Sequence, residues 1–305
     1  MNILGTTRLI ALLGDPVSHS LSPVMHNTAF EQNGIDFAYV PLKVKASDLE
    51  TATQALRIFN FRGANVTLPH KQAIVPFLDE VSDISKMMGV VNTITNNDGR
   101  LFGTTTDPYG FLTGFSEAGY TFTGKSIAIF GNGGSARTLV FALMTEEKAA
   151  RIILVGRNVS KSAQLLLDVK NNLASAGVMS GTKLELLDSK PYSAIADEID
   201  IVVNATPLGM HPNTDSSPVL SRDLRIRQIV YDIVYVPERT LLIREAESMG
   251  LQTVGGLGML VHQGLASFQL WTGSTPEANQ FYVSAREQLT RSGRPEDHKP
   301  RSVIL

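Results

Sequence analysis

The sequence contains no cysteine and only one tryptophan. Without cysteine there is no disulfide, no thiolate nucleophile and no cysteine-ligated zinc, which fits a reducing compartment. Excess charge of either sign is also missing. The 27 Lys and Arg residues against 29 Asp and Glu leave a formal net charge of −2, and no long basic run supplies the electrostatic footprint that nucleic acid requires. No apolar run reaches the roughly 20 residues that span a bilayer. The opening "MNILGTTRLIALLGDP" lacks the charged start, long apolar stretch and cleavage site of a signal peptide. His19, His26, His70, His211, His262 and His298 fall in no metal-ligand spacing, and neither H-E-x-x-H nor a nucleophile elbow is present. The expectation is a cytoplasmic, soluble protein with no metal, whose partner is a small molecule, and which is a monomer or homodimer.

What is present is a regular alternation of short apolar runs and amphipathic stretches over 305 residues, 43% of them hydrophobic. Such alternation is the mark of βα units around a largely parallel sheet. The first series of strand candidates is "RLIALLG", "FAYVPLKV", "RGANVT", "GVVNTITN" and "LFGTT", with helices starting near Pro23, Ser47 and Pro69. Ser22 as N-cap, Pro23 at the first helical position and Gly34 as stop define one of these helices. A second series follows from Gly124: "SIAIFG", "RIILVG", "KLELL", "IDIVVNAT", "QIVYDIVY" and "QTVGG", with helices between several of them. The boundary falls near Asp107. The helical segment from Met259 to about Thr290 is expected to pack back on the first unit, and residues 291–305 to form a polar tail.

The strongest local motif is "SIAIFGNGGSARTLVFALM", where a strand runs into Gly131, Gly133 and Ala136 in the pattern G-x-G-x-x-A and a helix follows. Residues without bulk let the backbone approach a pyrophosphate, and the first amides of the helix bind its charge. In an NAD-binding protein the next strand usually ends on a carboxylate for the ribose hydroxyl. Here "RIILVGRN" ends on Arg157, with Lys161 four residues on. A guanidinium pairs with a 2′-phosphate that a carboxylate would repel, so the cofactor expected is NADP, with NAD as the alternative.

In the first half, "GDPVSHSLSPVMHN" sets Ser18 and Ser20 just before a helix N-terminus, where two hydroxyls beside free amides can receive a carboxylate. "NVTLPHK" carries Lys71 and "TTTDPYG" carries Asp107. Together with "GVVNT", "GNGGSAR", "NATPLGM", "YDIVYVPERT" and "GLGMLVHQG", in this order, these stretches resemble the shikimate dehydrogenase family, including its quinate/shikimate paralogues, from residue 8 to about 285.

The resemblance implies an α/β protein of two domains with the active site in the cleft between them. Residues 1–107, completed by C-terminal helices over 258–290, would form the substrate domain, and residues 108–257 the NADP-binding, Rossmann-like domain. It implies that Ser18, Ser20 and Thr67 contact the substrate carboxylate side, that Asn92, Asp107 and Gln263 hold the ring hydroxyls, and that Tyr235 lies near the substrate. Lys71 and Asp107 would be the catalytic pair. The cofactor would be held by Gly131, Gly133, Gly134, Ser135, Ala136, Arg157 and Lys161. Thr206 and Met210 of the "TPLGM" loop, with Gly256 and Met259, would lie by the nicotinamide. The implied reaction is reversible oxidation of shikimate. Quinate or a related cyclic hydroxy acid is the alternative substrate, and a non-catalytic metabolite sensor the alternative role.

One stretch departs from the family pattern. Where that pattern reads G-x-N-T-D-G-x-G, this chain reads "GTTTDPYG", with Thr105 for asparagine and Pro108 for glycine. Threonine loses the amide's paired donor and acceptor, and the proline is expected to push Asp107 toward an extended conformation, altering substrate preference.

Overall fold

The computed structural model describes residues 2–188 and 191–292. Two six-stranded sheets organise it. The first is mixed. It uses β1 (Arg8–Gly14), β2 (Phe37–Lys43), β3 (Gly63–Val66), β4 (Glu80–Val81), β5 (Thr93–Asn97) and β6 (Arg100–Thr104), in the order β2-β1-β3-β5-β6-β4. β5 runs antiparallel to both β3 and β6, and the other pairs are parallel. Four helices connect or follow these strands: α1 (Ser22–Gln32), α2 (Leu49–Ile58), α3 (Asp83–Met88) and α4 (Asp107–Glu117).

The second sheet is entirely parallel. It is built from β7 (Ser126–Phe130), β8 (Arg151–Val155), β9 (Lys183–Leu187), β10 (Ile201–Asn204), β11 (Ile229–Asp232) and β12 (Gln252–Val254), in the order β12-β11-β10-β7-β8-β9. Strands β7 and β10 are apolar almost throughout because helices cover both faces of a parallel sheet. The helices are α5 (Gly134–Thr145), α6 (Val159–Ser175) and α7 (Leu241–Ser248), followed by α8 (Leu257–Thr272) and α9 (Ala278–Ser292). The order reverses direction between β7 and β10, and ligands of open α/β sheets bind outside the strand ends at such a point.

α8 buries Leu257, Leu260, Val261, Leu265, Phe268 and Trp271, a three-and-four spacing that keeps one face toward the core. Against it lies α4, whose Gly110 and Gly114 touch the backbone of Gly258 and Met259. A Cβ on Gly110 would stand 2.5 Å from the Met259 carbonyl oxygen. This close approach sets Asp107, the first residue of α4, beside Gln263 of α8. Helices α1, α8 and α9 share one aromatic core containing Phe30, Tyr39, Phe268, Trp271 and Phe281. Two carbonyls at the end of α3 accept from the second unit, Met88 from Arg137 Nε at 2.5 Å and Met87 from Asn172 Nδ2 at 2.7 Å. The segment leading to Asn92 is thereby tied to α5 and α6.

The structure corrects several local expectations. No helix starts at Pro69. The chain after β3 runs through turns, because His70 N–H bonds to the Thr67 carbonyl and the His70 ring is anchored on the Val44 carbonyl at 2.7 Å. The N-cap of α1 is Leu21, not Ser22, and Ser20 Oγ accepts from the Ser22 amide at 3.2 Å. The C-terminal helices expected over 258–290 are α8 and α9, separated at Gly273 with φ +77°. α9 continues through Ser292, and the expected tail lies outside the described residues from 293 onward. Asp107 opens a helix instead of extending. Pro108 sits in that helix's first turn, where its missing amide hydrogen costs nothing.

Candidate active site

The loop after β3 and the loop before β5 meet through the backbone, where the Val91 amide bonds to the Lys71 carbonyl at 2.8 Å. Lys71 Nζ donates to Asp107 Oδ2 at 2.6 Å, with the Asp107 side chain 6% exposed and that of Lys71 22%. The other carboxylate oxygen, Oδ1, accepts from Asn92 Nδ2 at 2.8 Å. Asn92 is itself held in place. Its Oδ1 accepts the Thr106 amide at 2.9 Å, and its Nδ2 reaches Thr106 Oγ1 at 3.0 Å and Gln263 Oε1 at 3.4 Å. A carboxylate with both oxygens occupied has a fixed plane, which fixes where the ammonium stands.

Behind this row lies a second one that the sequence reading missed. Tyr39 donates to Asn65 Oδ1 at 2.8 Å. Asn65 Nδ2 donates to the Asn92 carbonyl at 3.0 Å and to Thr93 Oγ1 and Ser267 Oγ at 3.1 Å each. Asn65, Thr93 and Ser267 are all buried. Asn65 was legible only as a strand residue of "NVTLPHK", and Ser267 only as a helix position four after Gln263. Burial pushes the hydroxyl of Tyr39 far above its ordinary value, so it remains a neutral donor.

Ser20 lies beside Tyr235. Burial raises the Tyr235 hydroxyl, and its hydrogen bond with Ser20 acts the other way. The rings of His19 and His211 stand 5.2 Å apart. The Ser18–Ser20 turn therefore faces the segment that follows Thr206 and Met210. Ser18 is exposed, and Thr67 is half-buried with its amide on the Leu13 carbonyl at 2.9 Å. Thr105 is buried, and its hydroxyl has no partner.

On the second sheet, β7 ends at Phe130 and the chain turns at Gly131 with φ +125°. A side chain here would meet the Ala205 carbonyl oxygen at 2.8 Å, so glycine is required twice over. Gly133 caps α5 without any side-chain bond, and a Cβ on Gly133 or Gly134 would meet nothing within 4 Å. Bare helix amides facing open space suit a pyrophosphate. Ser135 and Ala136 continue the first turn, with Ala136 buried. Asn132 Nδ2 ties the glycine turn to the Asn158 carbonyl at 3.2 Å, and Asn158 Oδ1 caps α6 at the Lys161 amide. Arg157 and Lys161 are exposed, and no ion pair engages either among the described residues. These groups fit a dinucleotide with a 2′-phosphate. Among the described residues no three His, Asp or Glu side chains cluster as metal ligands, and no helix is long and apolar enough to cross a membrane.

Residues 12–94 match the model of the shikimate dehydrogenase substrate binding domain, and residues 256–282 that of the shikimate 5′-dehydrogenase C-terminal domain. The chain is 41% identical to the shikimate dehydrogenase (NADP(+)) of Moorella thermoacetica, over 97% of this chain and 98% of that one. The chain belongs to the shikimate dehydrogenase family. Among solved structures of this family's fold it is similar to shikimate 5-dehydrogenase from Thermus thermophilus in complex with NADP(H) and shikimate. The TM-score is 0.81 at 32% identity, covering 92% of this chain and 99% of that one. It is also similar to quinate dehydrogenase from Corynebacterium glutamicum in complex with NAD, with a TM-score of 0.83 at 29% identity, covering 92% and 99%.

Proposed function

We propose that this protein is an NADP-dependent dehydrogenase that interconverts shikimate and 3-dehydroshikimate. The observation that carries the reading is the Lys71–Asp107 pair at 2.6 Å, held by Asn92. Residues 1–107 with helices over 258–290 form the substrate domain, and residues 108–257 the nucleotide domain. The protein works in the cytoplasm, as a monomer or homodimer.

Bound NADP would supply the hydride acceptor for oxidation of the secondary alcohol and, reduced, the hydride donor for the ketone. The chain supplies the rest. Ser18, Ser20 and Thr67 receive the substrate carboxylate, while Asn92, Asp107 and Gln263 fix the ring hydroxyls. As the neutral amine Lys71 takes the hydroxyl proton during oxidation, and as the ammonium so formed it gives the proton back during reduction, general acid–base help worth about 10²–10⁴-fold. Asp107 holds the Lys71 nitrogen on the reacting oxygen and stabilises the ammonium once the proton has been taken. Gly131, Gly133, Gly134, Ser135 and Ala136 would hold the pyrophosphate, Arg157 and Lys161 would pair with the 2′-phosphate, and Thr206, Met210, Gly256 and Met259 would lie by the nicotinamide.

Quinate is the second reading. The Thr105 departure, whose buried hydroxyl has no partner, and the similarity to a quinate dehydrogenase favour it. The test is to mix purified protein with shikimate or quinate and NADP or NAD, following the absorbance of the reduced nicotinamide as it forms. Fastest turnover with shikimate and NADP supports the proposal. A preference for quinate favours the second reading, and no turnover in any mixture contradicts both.

A further inference from the structure

One buried carboxylate takes no part in the chemistry described above. Asp232 ends β11, is 0% exposed, and lies in register beside Asn204 at the end of β10. Its Oδ1 accepts from Asn204 Nδ2 at 2.9 Å and from the Val234 amide at 3.0 Å, and its Oδ2 accepts from the Thr240 hydroxyl at 2.7 Å. Burial raises its pKa to about 6, against the pull of these three donors. An ionised carboxylate in such a place is costly, and a neutral side chain of the same shape would sit there more cheaply.

What the charge accomplishes is visible one residue away. An amide can face a neighbour with either its oxygen or its NH₂, but a carboxylate accepts only. Asp232 therefore forces Asn204 to present Nδ2, leaving the Asn204 oxygen for Thr206, whose amide and hydroxyl donate to it at 2.9 and 2.7 Å. The second N–H of Asn204 goes to the Leu208 carbonyl at 3.1 Å, and the Leu208 amide donates to Thr206 Oγ1 at 3.1 Å. With the amide reversed, the bonds to Asp232, to the Leu208 carbonyl and to the Thr206 amide would each set like against like.

We infer that Asp232 is a positioning residue for hydride transfer, fixing the Thr206–Met210 loop through Asn204 and the Tyr235 segment through Val234. The inference rests on the reading that this loop lies against the nicotinamide. Thr240, as N-cap of α7 donating to the same carboxylate, braces it from the opposite side.

The test compares Asp232→Leu, Asp232→Asn and Met210→Ala in the full chain with NADP and shikimate. Single-turnover hydride transfer, KM for NADP and shikimate Kd are measured for each variant. In Asp232→Leu, hydride transfer should slow by about tenfold or more while shikimate Kd stays within about twofold. Asp232→Asn keeps an acceptor oxygen toward Asn204 and Val234, so it should recover most of the rate, with a Tm at pH 7 no lower than that of the parent. A merely structural carboxylate would give the opposite, a lowered Tm in Asp232→Asn and parallel losses for both ligands, and that result overturns the inference. Normal transfer in Asp232→Leu beside a slowed Met210→Ala overturns it too, while leaving the nicotinamide reading intact. A Met210→Ala enzyme with unchanged transfer and KM for NADP removes both. Should Asp232→Leu fail to fold, Asn204→Ala, which cuts the link between carboxylate and loop, gives the same comparison.

Discussion

The two sides of the proposed site are built on opposite principles. On the substrate side Lys71, Asp107 and Asn92 are already joined, and a second row through Asn65, Thr93 and Ser267 braces them from behind. On the nucleotide side Arg157 and Lys161 stand in solvent without ion-pair partners among the described residues, and the glycine turn faces open space. Groups that must hold a reacting proton gain from orientation fixed in advance, since the ordering cost is met on folding. Groups that only bind a phosphate can be left for the ligand to order. Arg157 and Lys161 gain little from earlier pairing, because exposed ion pairs contribute about 0–1 kcal/mol.

If that contrast holds, damage to the substrate side should appear in turnover and damage to the nucleotide side in affinity. Lys71→Ala should have the largest effect, lowering kcat by about 10²–10⁴-fold with little change in shikimate Kd. A near-normal kcat would reduce Lys71 to a binding residue. Asn92→Ala comes next. It leaves one Asp107 oxygen unpaired in a buried place, and a hydrogen bond to a charged group is worth about 1.5–3 kcal/mol, so kcat/KM should fall roughly ten- to a hundredfold. Arg157→Ala should weaken NADP by about tenfold and NAD hardly at all, because only NADP carries the phosphate it would pair with. Equal losses for both cofactors would remove the 2′-phosphate from its role.

The smallest effect concerns the seam where α4, α8 and α9 meet. Burial raises the Glu117 carboxyl, but hydrogen bonds from Tyr282 and His262 outweigh this and leave its pKa below the ordinary value. A carboxylate lowered in the folded state contributes stability above its unfolded pKa and loses it as the pH falls through the folded one. Glu117→Gln should therefore lower Tm slightly at neutral pH and flatten its decline below about pH 4.5. Identical acid profiles for parent and variant would show that this contact does not hold the seam.

The sequence made the residue types of the proposed site legible but not the contacts that support them. Lys71, Asn92, Asp107 and Gln263 lie in recognisable stretches, and the fold brings them within hydrogen-bond reach of one another. The glycine turn was readable because a strand, three small residues and a helix follow one another without interruption. The supports were not, because Asn65 and Ser267 are 202 positions apart and their contact depends on how α8 packs across the first sheet. Asp232 read as one letter of a strand, and its three donors come from β10, from its own exit turn and from the start of α7. The helix expected at Pro69 failed because a local start signal says nothing about the Val44 carbonyl that captures His70. Pro108 misled in the same way, since a proline after Asp107 reads as a break until the first turn of α4 is seen around it.

The contrast between a prebuilt and a ligand-built side is tested most directly by salt. Exposed cations are screened as the Debye length falls from about 10 Å at 0.1 M to about 3 Å at 1 M, whereas a partly buried pair is screened much less. Shikimate oxidation should be followed with NADP over this range, at saturating substrate and varied cofactor. KM for NADP should climb steeply while kcat stays nearly constant, and KM for NAD should rise less. A kcat that falls in step with the rise in KM would contradict the account, because it would place the solvent-screened charges in the reacting pair itself.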